Sequence, residues 1–68
     1  MKEFNERLKE LRISKGLSQE QLSKATGISS TAICYYETGQ RVPNANVIIA
    51  LSKFFNVSSD YLLGLKDY

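Results

Sequence analysis

The chain has 68 residues, with nine lysines and arginines against seven aspartates and glutamates, one cysteine and no histidine. That length makes a single domain, residues 1–68, whose core is stable only if it packs well or finds a partner. One cysteine excludes an internal disulfide and a multi-cysteine metal site, and the lack of histidine removes the commonest metal ligand and the commonest general base.

The net charge of +2 is a weak signal for a polyanion. Residues 1–16 hold five basic and three acidic residues, whereas 17–38 hold Lys24 against Glu20 and Glu37. A nucleic acid must therefore be held by placed contacts rather than by a general positive field. The longest apolar run, 47–51, is too short to span a bilayer, and the first ten residues lack an apolar signal core. A cytoplasmic protein without cofactor or metal is expected. With no Ser-His or Cys-His pair available and no glycine-rich phosphate loop, an enzyme is not expected.

The expected fold class is all-α, five short helices in chain order. Phe4, Leu8 and Leu11 recur at i, i+4 and i+7, which predicts a helix over 2–15, ended by Gly16. Ser18 and Gln21 have capping-box spacing and start a second helix, with Leu22 and Ala25 facing inward. Gly27 stops it after about two turns, with Ile28 behind it as a plug. Ser29 caps a third helix that turns Ile33 and Tyr36 inward and ends at Gly39. Residues 40–44 form a loop stiffened by Pro43, and Asn44 caps a fourth helix over 45–55. Ser58 caps a last short helix that Gly64 terminates.

The pair of helices across 18–38 is joined by a turn too short for an antiparallel arrangement. A short glycine turn between two helices crossing steeply, the second protruding, is the requirement of a DNA-binding helix-turn-helix. The pattern is met by apolar Leu22, Ile28, Ile33 and Tyr36, small Ser23 and the turn at Gly27, with half-apolar Thr26 the weakest match. The stretches RLKELRISKGLSQEQLSKATGIS, YETGQRVP and LSKFFNVSSDYLLG together resemble the phage-repressor-like helix-turn-helix domains, lambda-repressor-like in fold, of the xenobiotic-response-element family. The resemblance spans roughly residues 4–64. It implies a compact five-helix bundle, sequence-specific binding to double-stranded operator DNA, and usually a homodimer.

If the third helix enters the major groove, its first turn meets base edges, where only small side chains let the backbone come close. Ser29, Ser30 and Thr31 occupy that turn, and their hydroxyls can donate to or accept from any base. Cys34, Tyr35 and Thr38 follow by helical spacing. Tyr35 and Tyr36 are adjacent, so about 100° apart around the axis, and burial of Tyr36 turns Tyr35 outward. For phosphates the resemblance implies Gln19 at the start of the second helix, with Ser18 and Arg41 as further candidates. It also implies that Arg12 reaches Glu37, a structural ion pair tying the first helix to the end of the third. The plainer readings are that Ser29 is only a cap, Ser30 and Thr31 only solvated, Cys34 an inert thiol and Arg41 a solubilising charge.

The fourth helix carries a second apolar stripe, Val47, Ala50 and Phe54, beside the one that closes the core. With Tyr61, Leu65 and Tyr68 it makes an expected homodimer interface. The plainer reading is that Phe54 folds over the core edge. Two functions are therefore open. One is a transcriptional repressor reading an inverted repeat; the other is a protein-interaction module, antitoxin-like or bound by an antirepressor, with DNA binding secondary.

Overall fold

Capping chemistry written into the sequence sets where each helix begins. The structure, a computed structural model, describes residues 3–67. Five α-helices follow in order: α1 Phe4–Ser14, α2 Gln19–Thr26, α3 Ser30–Thr38, α4 Ala45–Phe55 and α5 Ser59–Leu62. The hydroxyls of Ser18, Ser29 and Ser58 and the amide oxygen of Asn44 each accept a hydrogen bond from the backbone N–H three residues on. At Ser18 the capping box is complete, since Gln21 Oε1 accepts from the Ser18 N–H at 2.8 Å. α1 is shorter than its periodicity suggests; Glu3 precedes it with no side-chain cap, and Lys15 closes it.

The helices pack around residues that the two apolar periods select. Leu8, Leu22, Ile33, Leu51 and Leu62 are fully buried, with Ala32, Tyr36, Ile48 and Phe55 around them. α1 lies against α3 and α5, α2 against α3 and α4, and α4 against α5. Phe4 meets the edge of Tyr36, ring centroids 6.1 Å apart at 76°, a favourable geometry for aromatic rings. Ala25 does not face inward as expected; it is exposed, and Ser23 and Thr26 are the half-buried flanks of Leu22. Thr26 explains its own presence at an apolar position. Its hydroxyl donates to the Leu22 carbonyl at 2.8 Å and accepts from the Ile28 N–H at 3.3 Å. The polar atom is thus satisfied locally while the methyl is left to pack. Ile28 is a partly buried plug against the core.

The second stripe of α4 is not uncovered. Val47 and Phe54 pack against the core, and Ala50 is half-buried. Phe54 meets the edge of Phe55 at 5.0 Å, and the Lys15 ammonium lies 5.3 Å from its ring centroid. Phe54 therefore folds over the core edge, as its plainer reading has it, with part of its surface still open. The Lys15 side chain reaches the ring from just past the end of α1, and such a stem and ammonium can cover an aromatic face. Among the described residues, the large apolar side chains that do stand in water are Ile13, Val42, Ile49, Leu63 and Leu65. Of the other expected interface residues, Tyr61 is half-buried, Leu65 is exposed and Tyr68 lies outside the described residues.

α1 buries a charge that the sequence reading passed over. Arg7 is buried, its guanidinium 4.2 Å from the Tyr61 ring centroid and its Nη2 3.3 Å from Asp67 Oδ1. Its Nε has no hydrogen-bond partner among the described residues. Arg7 sits between Phe4 and Leu11 at i+3 and i+4, so helical spacing alone placed it on the buried face.

The turn at residue 27 fixes how α3 leaves α2. Gly27 has φ 80° and ψ 3°, and its N–H closes on the Ser23 carbonyl at 2.8 Å. A Cβ there would meet nothing within 4 Å. The cost of Gly27→Ala is then backbone strain alone, about 1–2 kcal/mol. Denaturant titration of the two proteins should show that loss as a lower midpoint with an unchanged slope.

Candidate nucleic-acid interface

Three hydroxyl residues begin α3, and none of them supports the core. Ser29 and Thr31 are exposed and Ser30 is partly exposed, while Tyr36 is buried and Tyr35 is not. The Ser29 oxygen is used by the Ala32 N–H at 3.1 Å. Its proton remains able to donate, so a cap and a contact outward are compatible. α3 has no acidic residue in its first turn and no basic residue in its last. Its outward face therefore offers hydroxyls, a thiol and a ring, but no formal charge.

Further along, Cys34 and Tyr35 are partly exposed. Thr38 is exposed, but its hydroxyl donates back to the Cys34 carbonyl at 2.9 Å and lies 3.3 Å from that of Tyr35. It keeps its lone pairs and methyl open to the outside, and loses its use as a donor. That back-bond is what a threonine in the last turn of a helix makes readily, and spacing alone does not reveal it.

The cations at this face are few and held. Arg41 is exposed, with its guanidinium 5.2 Å from the centroid of the Tyr35 ring. Its backbone N–H also reaches the Tyr35 carbonyl at 3.3 Å. Arg41 is thus anchored at both ends beside the outward face of α3, a pairing of two sequence candidates that the sequence did not join. Stacking on the ring leaves the guanidinium edge and its donors free for an anion.

At the start of α2, the Ser18 oxygen accepts from the Gln21 N–H at 3.0 Å and its proton is left to donate. The first N–H groups of the helix have no intrahelical partner. Gln19 does not hang free there. Its Nε2 lies 3.2 Å from Glu37 Oε1.

Glu37 is also where Arg12 arrives, as the resemblance implied. Arg12 Nε donates to Oε2 at 2.6 Å and Nη2 to Oε1 at 3.0 Å, a two-pronged bond, while Nη1 donates to the Leu17 carbonyl at 2.7 Å. The hydrogen bond with Glu37 raises the pKa of Arg12 above its ordinary value; burial opposes it, and the carboxylate charge adds to it. The guanidinium, which side-chain chemistry already keeps protonated, is held in its charged form by this pairing. The Glu37 carboxylate thus joins α1, α2 and α3, and Arg12 ties in the segment before α2.

Two short helices set around a left-handed glycine, the second with an uncharged polar start facing water, define a helix-turn-helix bundle of lambda-repressor-like architecture. The chain belongs to the helix-turn-helix family, whose pattern covers residues 8–62. The transcriptional activator BcrR of Enterococcus faecalis is 48% identical over 61 residues, 90% of this chain and 30% of that protein. Repressor protein C2 of Salmonella phage P22 is 38% identical over 60 residues, 88% of this chain and 28% of that protein. The chain thus spans less than a third of either relative. Among solved structures, the P22 c2 repressor in complex with synthetic operator 9T superposes with a TM-score of 0.86 at 35% identity, over 93% of this chain and 96% of that one. The restriction-modification controller protein C.AhdI from Aeromonas hydrophila does so with a TM-score of 0.79 at 36% identity, over 87% and 89% of the two chains. Among the described residues, no helix is long and apolar enough to cross a membrane.

Proposed function

We propose that this chain is a sequence-specific DNA-binding repressor of transcription, placing the start of α3 in the major groove of an inverted-repeat operator. One observation carries the reading: Ser29, Ser30 and Thr31 stand outward on a helix whose inner face, Ile33 and Tyr36, is locked in the core. Small hydroxyl side chains let the helix backbone approach base edges, and Tyr35 and Cys34 extend the contact by a turn. Thr38 adds an acceptor and a methyl group. Phosphates are held by Ser18, Gln19 and the free N–H groups that begin α2, and by Arg41 from beside Tyr35. The likeness to a repressor bound to a synthetic operator supports this docking.

Two copies are expected to bind together. With no arginine or lysine on α3, one domain discriminates bases weakly, and pairing supplies the rest. The contact between copies uses the surface of α4 and the segment after α5. Leu65 and Ile49 are its exposed apolar groups, with Ala50 and Tyr61 beside them. Val47 and Phe54 contribute only their exposed edges. The rival reading, a module that neutralises another protein, drew on an uncovered α4 stripe. Val47 and Phe54 pack in part against the core, which leaves less apolar surface for that reading.

Selection from random duplexes at a fixed, stated salt concentration tests the proposal. The expected product is a palindrome whose half-site centres lie one helical turn apart, about 34 Å. Enrichment of an asymmetric site would remove the paired arrangement. No enrichment at all would remove DNA reading.

A further inference from the structure

Glu37 is placed to do more than close an ion pair. Its side chain is 3% exposed, and an ionised carboxylate only accepts hydrogen bonds. Whatever faces it must donate. The carboxamide of Gln19 does so through Nε2, at 3.2 Å from Oε1. The orientation of that amide is therefore set by chemistry, since its carbonyl end cannot turn toward a carboxylate. Arg12, with two bonds to the same carboxylate at 2.6 and 3.0 Å, neutralises its charge. Glu37 can thus stand behind an anion-binding point without repelling the anion.

Gln19 is the first residue of α2. Its own backbone N–H and that of Glu20 have no partner within the helix. We propose that Glu37 is a positioning residue for DNA: it holds the Gln19 amide so that the second Nε2 proton joins those backbone N–H groups on one phosphate. This rests on the DNA-reading function proposed above. A glutamine free to flip would offer its carbonyl oxygen to the phosphate in half of its orientations. Glu37 removes that repulsive half. The end of the reading helix α3 and the phosphate clamp of α2 are then set by the same carboxylate, so the base contacts and the backbone contact keep a fixed register.

The test is a double-mutant cycle on DNA affinity. The 68-residue chain is titrated with a random-sequence duplex at low salt, because phosphate contacts do not depend on sequence. Gln19→Met keeps the length and removes the donors, leaving the Arg12–Glu37 pair in place. It should bind about tenfold more weakly, the worth of a hydrogen bond to a charged group. The slope against salt should not change, because no charge is lost. Glu37→Gln frees the amide to flip and should weaken binding several-fold in the parent chain and not at all in the Gln19→Met chain. Equal losses in both backgrounds would overturn the inference, because a purely structural role for Glu37 predicts additivity. If Glu37→Gln does not fold, the amide resonances of Gln19 in the unaltered protein decide. One Nε2 proton already hydrogen-bonded without DNA, and the other shifting when duplex is added, support positioning; two protons indifferent to duplex overturn it. A parent chain that binds no duplex removes the DNA-reading function itself. A parent chain that binds, with Gln19→Met binding equally well, removes only the role of Glu37 and Gln19.

Discussion

Glu37→Ala should lower the melting temperature by roughly 12 °C or more, the largest change of any acidic substitution in the chain. Removing one member of a buried ion pair strands the other, at about 3–5 kcal/mol, and a domain of this size loses about 4–8 °C per kcal/mol. Arg12 is the stranded group, with its side chain 13% exposed. The bond from Arg12 Nη1 to the Leu17 carbonyl would hold the uncompensated charge inside rather than let it swing to water. Gln19 would lose its partner at the same time. Glu6, exposed in the first turn of α1, is the control. Calorimetric scans giving equal melting temperatures for Glu37→Ala and Glu6→Ala would refute the network as a support of the fold.

Ser30→Glu combined with Thr31→Glu should abolish DNA binding, by at least about a hundredfold, while the domain stays folded. Two carboxylates would then face the phosphate-lined groove, and like charges brought together at an interface cost several kcal/mol. The fold has no reason to suffer. Both positions lie in the first turn of α3, and a negative charge there favours the helix by about 0.3–1 kcal/mol. The cap from Ser29 to Ala32 is untouched. Electrophoretic or anisotropy titration beside a thermal scan separates the two readouts. Retained binding with an intact melt would mean that α3 is not the reading helix.

The helix boundaries were legible because their causes are local. A capping serine, a glycine or an asparagine acts within four residues, so Ser18, Ser29, Asn44 and Ser58 announced four of the five helix starts. The burial of Ile33, Tyr36, Ile48 and Leu51 followed from a period of 3.6, which is also local. The end of α4 at residue 55 was read correctly, but Asn56 was not named as its left-handed cap at φ 56°, because glycine is the commoner host of that conformation and asparagine the weaker signal. Ala25 was misplaced because a two-turn helix gives the period too few repeats to fix its phase. The contact of Phe54 with Lys15 was not legible because the two lie 39 positions apart in the chain. Gln19 with Glu37, Arg41 with Tyr35 and Arg7 with Tyr61 are likewise meetings between helices, which periodicity within one helix does not contain.

The outward side chains of α3 and the packed interior are almost separate sets of atoms. Ser30, Thr31 and Tyr35 can be exchanged without disturbing Leu22, Ile33 or Leu51. If α3 reads DNA as proposed, a lineage built on this scaffold can drift from one target site to another by single substitutions, each intermediate still folded. The places where that freedom stops are Ser29, whose hydroxyl caps the start of α3, and Glu37.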